Sequence, residues 1–402
     1  MNMKRILCLL MSLLLLLSCF SCGKKGTKTE EVSTPSAAEE AQTEVTAAGT
    51  PPEETAVTAP VTEYTPYGAV EMSIPFEDFN ASGFDLGDSC EVRFSNGYTL
   101  EDVPYYNGYN ARSGDPVICA YPGYKKPVIA FCQGTELWKD AGLKEGDSVT
   151  VTLKEKGRYR ETQDILNIVY SNERSEYESD EAFANFRALS GGDLKEGMFY
   201  RGASPVDNSM SRAEITDNLL WAYGIRYILD LADNEEKIAS YREKEDFSSD
   251  YFVSLYEDNK VSLLGLTASF RTERFMKSLA GGLHDMVTME GPVYIHCLEG
   301  KDRTGFVCAL LEALAGASYE EILEDYMETY DNYYGITQDS HPEKYEAIRH
   351  LKFMDIINQL TTLPDDADFG GTVLKDSAEQ YLRDSGMTED EIQTLRVYLC
   401  KE

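Results

Sequence analysis

The residues able to do chemistry fall in one run of this 402-residue chain, His296-Cys297-Leu298-Glu299-Gly300-Lys301-Asp302-Arg303-Thr304-Gly305. Cys297 and Arg303 bracket five residues, a spacing that lets a short loop surround a phosphoryl group. Loop amides and the Arg303 guanidinium would hold its three oxygens and set the Cys297 sulfur in line with phosphorus. Only a thiolate attacks well, and helix N-termini and nearby cations lower a cysteine pKa from ~8.5 to as little as ~4. Arginine grips two oxygens with a planar fork and gains as charge builds in the transition state. Gly300 allows a turn without a Cβ clash, and His296 orients the loop rather than taking a proton. Thr304 can donate its hydroxyl to the departing sulfur. Asp302 is the nearest acid by sequence to protonate the leaving oxygen.

These residues need a strand and a helix to hold them. Gly291-Pro292-Val293-Tyr294-Ile295 reads as a buried strand running into the loop. Phe306, Val307, Ala309, Leu310, Leu311, Ala313 and Leu314 predict a helix buried on most sides and stopping at Gly316. Strand, loop and helix N-terminus together turn backbone N–H groups toward an anion. Tyr227–Leu231 and Val293–Ile295 are expected as central parallel strands with helices on both faces, and Tyr251–Leu255 as a further strand. Capping boxes at Ser318–Glu321 and Thr388–Glu391 open two more helices. Asp331–Gly335 would overhang the site.

The signature string resembles the loop of cysteine-dependent tyrosine phosphatases, in the bacterial branch reading H-C-x-x-G-K-D-R-T-G. Asn185-Phe186-Arg187-Ala188-Leu189, Gly191-Gly192 and Met198-Phe199-Tyr200-Arg201 resemble that branch's N-F-R-D-L-G-G … Y-R. Gly224-Ile225-Arg226-Tyr227-Ile228-Leu229-Asp230-Leu231 resembles its G-I-R-x-V-I-D-L-R, and Ala378–Thr388 its closing helices. The resemblance covers residues 183–402. It implies a phosphocysteine enzyme needing no metal or other cofactor, with Cys297, Arg303, Asp302 and Asp230 catalytic. His296, Leu298, Glu299, Gly300, Lys301 and Thr304 would bind substrate. Asp230 matches a strand-end Asp that shares the acid role or orients water; the alternative is a strand-terminal cap. Ala188 and Ala232 stand where the family has Asp and Arg, which implies weaker activity or altered specificity. Glu299 would repel a polyanion and Lys301 opposes it.

The rest of the chain sets the context. With 37 Lys+Arg against 70 Asp+Glu, the net charge of −33 argues against nucleic acid and anionic lipid surfaces as partners. Four histidines and scattered cysteines leave little for a structural zinc site. Lys4 and Arg5 precede an apolar run, Ile6–Leu17, of signal-peptide length, and Leu16-Leu17-Ser18-Cys19 resembles a lipobox. Cys19, or alternatively Cys22, would take the lipid, anchoring an exported protein to the outer face of the cytoplasmic membrane. Residues 1–18 are thus a leader and 19–65, rich in Thr, Ala, Glu and Pro, an extended tether.

Residues 66–175 alternate with a period of two between turn signals such as Asn96-Gly97 and Gly146-Asp147, predicting a small all-β domain, sandwich or barrel. Its Tyr98, Tyr105, Tyr106, Tyr109, Tyr121 and Tyr124 line a binding face for an unknown ligand or fill core and hairpin positions. Cys90, Cys119 and Cys132 could include one disulfide. Residues 176–402 form the phosphatase-like domain. The expected fold class is an α/β phosphatase domain, its central sheet parallel-rich and flanked by helices, preceded by the small all-β domain. The expected function is hydrolysis of phosphotyrosine, or phosphoserine/threonine, in proteins or small phosphomonoesters. Two alternatives are an inositol phosphate or phosphoinositide phosphatase and a weakly active phospho-ligand binding protein.

Overall fold

The computed structural model describes residues 55–64 and 68–401. The leader, Cys19, Cys22 and most of the expected tether lie outside them. Seven strands, β1 (Ala56–Tyr64), β2 (Ala69–Met72), β3 (Ser89–Phe94), β4 (Thr99–Tyr106), β5 (Pro116–Cys119), β6 (Val128–Phe131) and β7 (Ser148–Glu155), close into a barrel. Its order is β1-β2-β6-β5-β4-β3-β7. The period-two pattern explains the inside: Cys90, Val92 and Phe94 of β3 and Val149 and Val151 of β7 are buried, while Arg93 is exposed. Gly97, at φ +92°, makes the tight turn between β3 and β4. Stacked Phe79 and Phe84, 4.4 Å apart, with Tyr105 edge-on at 5.2 Å, fill the interior.

The second sheet has five strands, β8 (Arg187–Ala188), β9 (Phe199–Gly202), β10 (Tyr227–Asp230), β11 (Val261–Leu263) and β12 (Val293–His296), in the order β11-β10-β12-β9-β8. β12 runs between β10 and β9, parallel to both, while β8 is antiparallel to β9. Every residue of β10 and β12 is buried, because helices cover both faces. Tyr227, Leu229, Val293 and Ile295 join Leu279 and Leu283 of the helix Glu273–Met286 and Phe306 and Leu310 of Asp302–Leu314. Ile228 and Tyr294 join Leu220 and Phe252 on the other side.

The expected fold class needs correcting. In place of a parallel-rich α/β domain behind a small all-β domain, the strands form a closed seven-stranded barrel of mixed pairing and a mixed five-stranded sheet. The barrel includes a parallel β4–β5 pair and carries helices at Phe76–Ala81 and Leu137–Asp140. Strand direction and partner choice are properties of long-range pairing, which local alternation does not encode. Two local expectations also change. Tyr251–Leu255 lies in the helix Asp250–Glu257, where Phe252 and Leu255 share the buried face that a helical period gives. Residues 56–64, assigned to the tether, are β1, whose Val57, Ala59 and Val61 pack with the barrel core. Cys90, Cys119 and Cys132 are buried free thiols.

The barrel and the second sheet belong to one unit. Arg112 pairs with Asp365 at 2.6 Å, Ser113 donates to Asp355 at 2.5 Å, and Lys352 Nζ donates to the Tyr109 carbonyl at 2.7 Å.

Candidate active site

Cys297 follows the last residue of β12 and is only 3% exposed. The loop after it is held through its carbonyls. Leu298 O accepts from Ser204 N at 3.0 Å, Glu299 O from Tyr333 Oη at 2.7 Å, and Gly300 O from Arg201 Nη2 at 2.8 Å. Asn185 Nδ2 reaches both the Glu299 and Gly300 carbonyls at 3.3 Å. No hydrogen bond among the described residues engages the amides of Leu298, Glu299, Gly300 or Lys301. Free amides beside a helix that starts at Asp302 make a ready anion site. Gly300 turns the chain at φ +68°, where a Cβ would lie 2.2 Å from Gly202 O. Only glycine fits.

The charged residues of the loop are mutually engaged. Lys301 Nζ lies 3.3 Å from Glu299 and 3.4 Å from Asp302. Burial disfavours its charge, but those two carboxylates outweigh it and hold its pKa well above the usual value. Glu299 also accepts from Tyr170 Oη at 2.7 Å; Tyr170 stacks on Tyr333 at 5.0 Å, and the Arg212 guanidinium sits 5.0 Å from each ring. Arg303 Nη1 donates to Leu266 O at 2.9 Å, fixing the direction of its fork. Asp302 retains 39% of its side-chain exposure. Desolvation works against its charge, yet Lys301, Lys352 and Arg303 hold its pKa below the usual carboxylate value.

His296 and Asp230 lie beneath the loop, both fully buried. The strands place them side by side, since their positions pair across β10 and β12. Burial lowers the His296 pKa to about 4, so its imidazole is neutral, with Nδ1 3.1 Å from the Cys297 carbonyl. Asp230 Oδ1 accepts from the amides of Ala232 and Asp233 at 2.9 and 3.0 Å. Its Oδ2 sits 3.7 Å from His296 Nε2, and neither atom has a hydrogen-bond partner. Burial, reinforced by the Asp233 charge, raises the Asp230 pKa well above the ordinary carboxyl value. Buried Asp230 caps the turn after β10 and stands beside the histidine. Thr304 Oγ1 is buried without a partner and is not hydrogen-bonded to the sulfur in this state.

The loop-holding residues were not assigned their roles from sequence. Asn185 stood in a quoted motif, but only its left-handed backbone, φ +50°, aims its amide at the loop. Arg187 and Arg201 stand in the motifs quoted above. Both are buried behind the loop and converge on Asp325, Arg187 Nε at 2.9 Å. Arg226, in another quoted motif, precedes β10 at the end away from the loop. Of these cations and Lys301, only Lys301 lies in the loop.

The model of the tyrosine phosphatase family matches residues 181–401. The chain belongs to the tyrosine phosphatase family. A tyrosine-protein phosphatase of Nostoc commune is 28% identical over 236 residues, covering 49% of this chain and 76% of that one. Among solved structures, an uncharacterized conserved protein from Thermotoga maritima is 21% identical with a TM-score of 0.21, covering 23% of this chain and 35% of that one. TpbA of P. aeruginosa is 16% identical with a TM-score of 0.21, covering 50% of this chain and 86% of that one. Family membership supports phosphatase activity in general terms. The barrel lies outside the matched residues.

Proposed function

We propose that this chain hydrolyses phosphomonoesters through a phosphocysteine, with phosphotyrosine the substrate class that suits the site best. The observation that carries the reading is the set of unengaged amides at Leu298–Lys301 around a buried Cys297, with Arg303 fixed beside them. The Cys297 thiolate attacks phosphorus, an S–P bond forms, and the P–O ester bond breaks. The leaving oxygen takes a proton from Asp302. Water then attacks phosphorus, giving its proton to Asp302, and the S–P bond breaks to release phosphate and the thiolate. Protein sulfur supplies the nucleophile, so the scheme uses no metal. A sulfur this buried favours a phosphate carried on a long aryl ester, and half-buried Tyr334 adds aromatic surface near the loop. The leader and Cys19 support an exported, lipid-anchored location, with Cys22 the alternative anchor.

The test is turnover of p-nitrophenyl phosphate and a phosphotyrosine peptide near pH 6 under reductant, followed by acid-quench trapping of labelled phosphate. Cys297→Ser should abolish both turnover and labelling. Because its neighbours keep Asp302 ionised near neutrality, turnover of esters with basic leaving groups should rise as pH falls toward the carboxylate range. Asp302→Asn should remove that rise while sparing p-nitrophenyl phosphate. Robust turnover by Cys297→Ser would overturn the proposal.

A further inference from the structure

Residues 167–179 link the helix Arg160–Leu166 to the helix Asp180–Ala184 and precede the residues that the family model matches. The segment is mostly polar, with Tyr170 and Tyr177 its two aromatic rings, so it has little core of its own to pack on. Arg212 organises it instead. That side chain is buried and donates from Nη2 to Ser171 O and Tyr177 Oη at 3.0 Å, from Nη1 to Asn172 Oδ1 at 2.7 Å, and from Nε to Phe183 O at 2.8 Å. A planar guanidinium with several fixed acceptors sets their directions as well as their distances. Tied down in this way, the segment brings Tyr170 to the signature loop.

There Tyr170 Oη donates to Glu299 Oε1 at 2.7 Å. Its ring stacks on Tyr333 at 5.0 Å, and the Tyr333 hydroxyl donates to the Glu299 carbonyl at 2.7 Å. The two phenols thus hold the side chain and the backbone of one residue. The second carboxylate oxygen, Oε2, lies 3.3 Å from Lys301 Nζ, so Glu299 is gripped between a phenol and an ammonium. Burial pushes the Tyr170 phenol pKa up and the Glu299 charge adds to the rise, which keeps the proton on the donating hydroxyl. Glu299 also belongs to the stretch Leu298–Lys301, whose amides meet no acceptor among the described residues. A loose carboxylate there would repel a phosphate and compete with it for the same donors.

We propose that Tyr170 is a positioning residue for the anion site, supplied by the segment ahead of the matched residues, which holds the Glu299 carboxylate against Lys301 and off the phosphate. The proposal rests on the phosphatase reading for its ligand. Without the hydroxyl, Glu299 loses one of its two side-chain partners and regains rotamer freedom, and its charge opposes a phosphoryl group at the loop. A hydrogen bond to a charged group is worth roughly 10-fold or more, and part of that loss reaches the bound phosphate.

The experiment uses the full chain under reductant and compares Tyr170→Phe, Glu299→Gln and the double variant. Phenylalanine keeps the ring stack and the Arg212 contact, while glutamine keeps an acceptor for the phenol and removes the charge. Calorimetric titration with inorganic phosphate reads the site directly, and turnover of p-nitrophenyl phosphate is measured alongside. Tyr170→Phe should weaken phosphate binding about 5-fold and raise KM by a similar factor, with kcat changed little. In the Glu299→Gln background the same substitution should change phosphate affinity less than about twofold, because the charge it restrained is gone. If the wild type binds phosphate in this Tyr170-dependent way yet turns over no ester, the catalytic reading falls and the positioning role stands. If turnover is robust and Tyr170→Phe binds phosphate as the wild type does, the positioning role falls alone. An equal loss in both Glu299 backgrounds would show a merely structural clamp and overturn the proposal, as would a wild type that binds no phosphate.

Discussion

Replacing Gly300 with alanine probes the loop at its tightest point. Gly300 lies at φ +68°, and the new Cβ would stand 2.2 Å from Gly202 O and 2.3 Å from Gly202 C. The left-handed backbone alone costs an L-residue about 1–2 kcal/mol. The overlap must also be relieved, and Gly202 cannot retreat, because it pairs with His296 across β9 and β12. The carbonyl of Gly300 is itself tied to Arg201 and Asn185. The contact must open from 2.2 Å to beyond 3.0 Å, so the loop moves by about 1 Å, and a misplacement of that size costs ~10²-fold in rate. Gly300→Ala should therefore stay folded, with a stability loss of about 1–3 kcal/mol and kcat/KM for p-nitrophenyl phosphate down ~10²-fold. Urea titration followed by circular dichroism, with steady-state kinetics on the same sample, reads both. A kcat/KM within threefold of wild type, with undiminished stability, would refute the argument that this glycine shapes the loop.

Asp325→Asn should destabilise the chain by about 3–5 kcal/mol, because it strips the counter-charge from two buried guanidiniums, Arg187 and Arg201; a shift in the urea midpoint worth less than 1 kcal/mol would contradict this. His296 has a pKa of about 4 in the fold against 6.5 as a free side chain, so the unfolded chain takes up its proton first as pH falls. Its contribution to stability is whole above pH 6.5 and shrinks as pH drops toward 4, with about 2 kcal/mol gone at pH 5. Comparing the urea stability of wild type and His296→Asn at pH 7 and pH 5 isolates that loss, and an identical pH dependence in the two chains would contradict it.

The loop and its flanking elements were legible because each rests on local pattern: an apolar run for β12, a continuously buried helix after Arg303, a glycine where a side chain would clash. The capping boxes at Ser318 and Thr388 form for the same reason. What failed depended on distant partners. Nothing near Ala56 says that it pairs with Thr152, so a Thr-, Pro- and Glu-bearing segment looked like tether. Tyr251–Leu255 is as apolar as a strand, and its helical state is stabilised when Phe252 and Leu255 pack with Leu220 and Ile225. Nor does sequence show Asp325 folding back between Arg187 and Arg201 from the helix Tyr319–Tyr334.

The same partners explain how the proposed anion site fits a chain of net charge −33. Lys301, flanked by Glu299 and Asp302, has its charge locally cancelled, while Glu299 is further engaged by Tyr170. Attraction for phosphate then falls to Arg303, the loop amides and the start of the helix at Asp302. Such dipoles act over a few ångströms and serve one phosphoryl group. A second or third phosphate on the same substrate would meet Glu299, Asp302 and a largely acidic surface, with Arg187 and Arg201 already neutralised behind the loop. Long-range charge therefore argues against inositol polyphosphates. On the proposed reading, selectivity among monoesters would pass instead to shape.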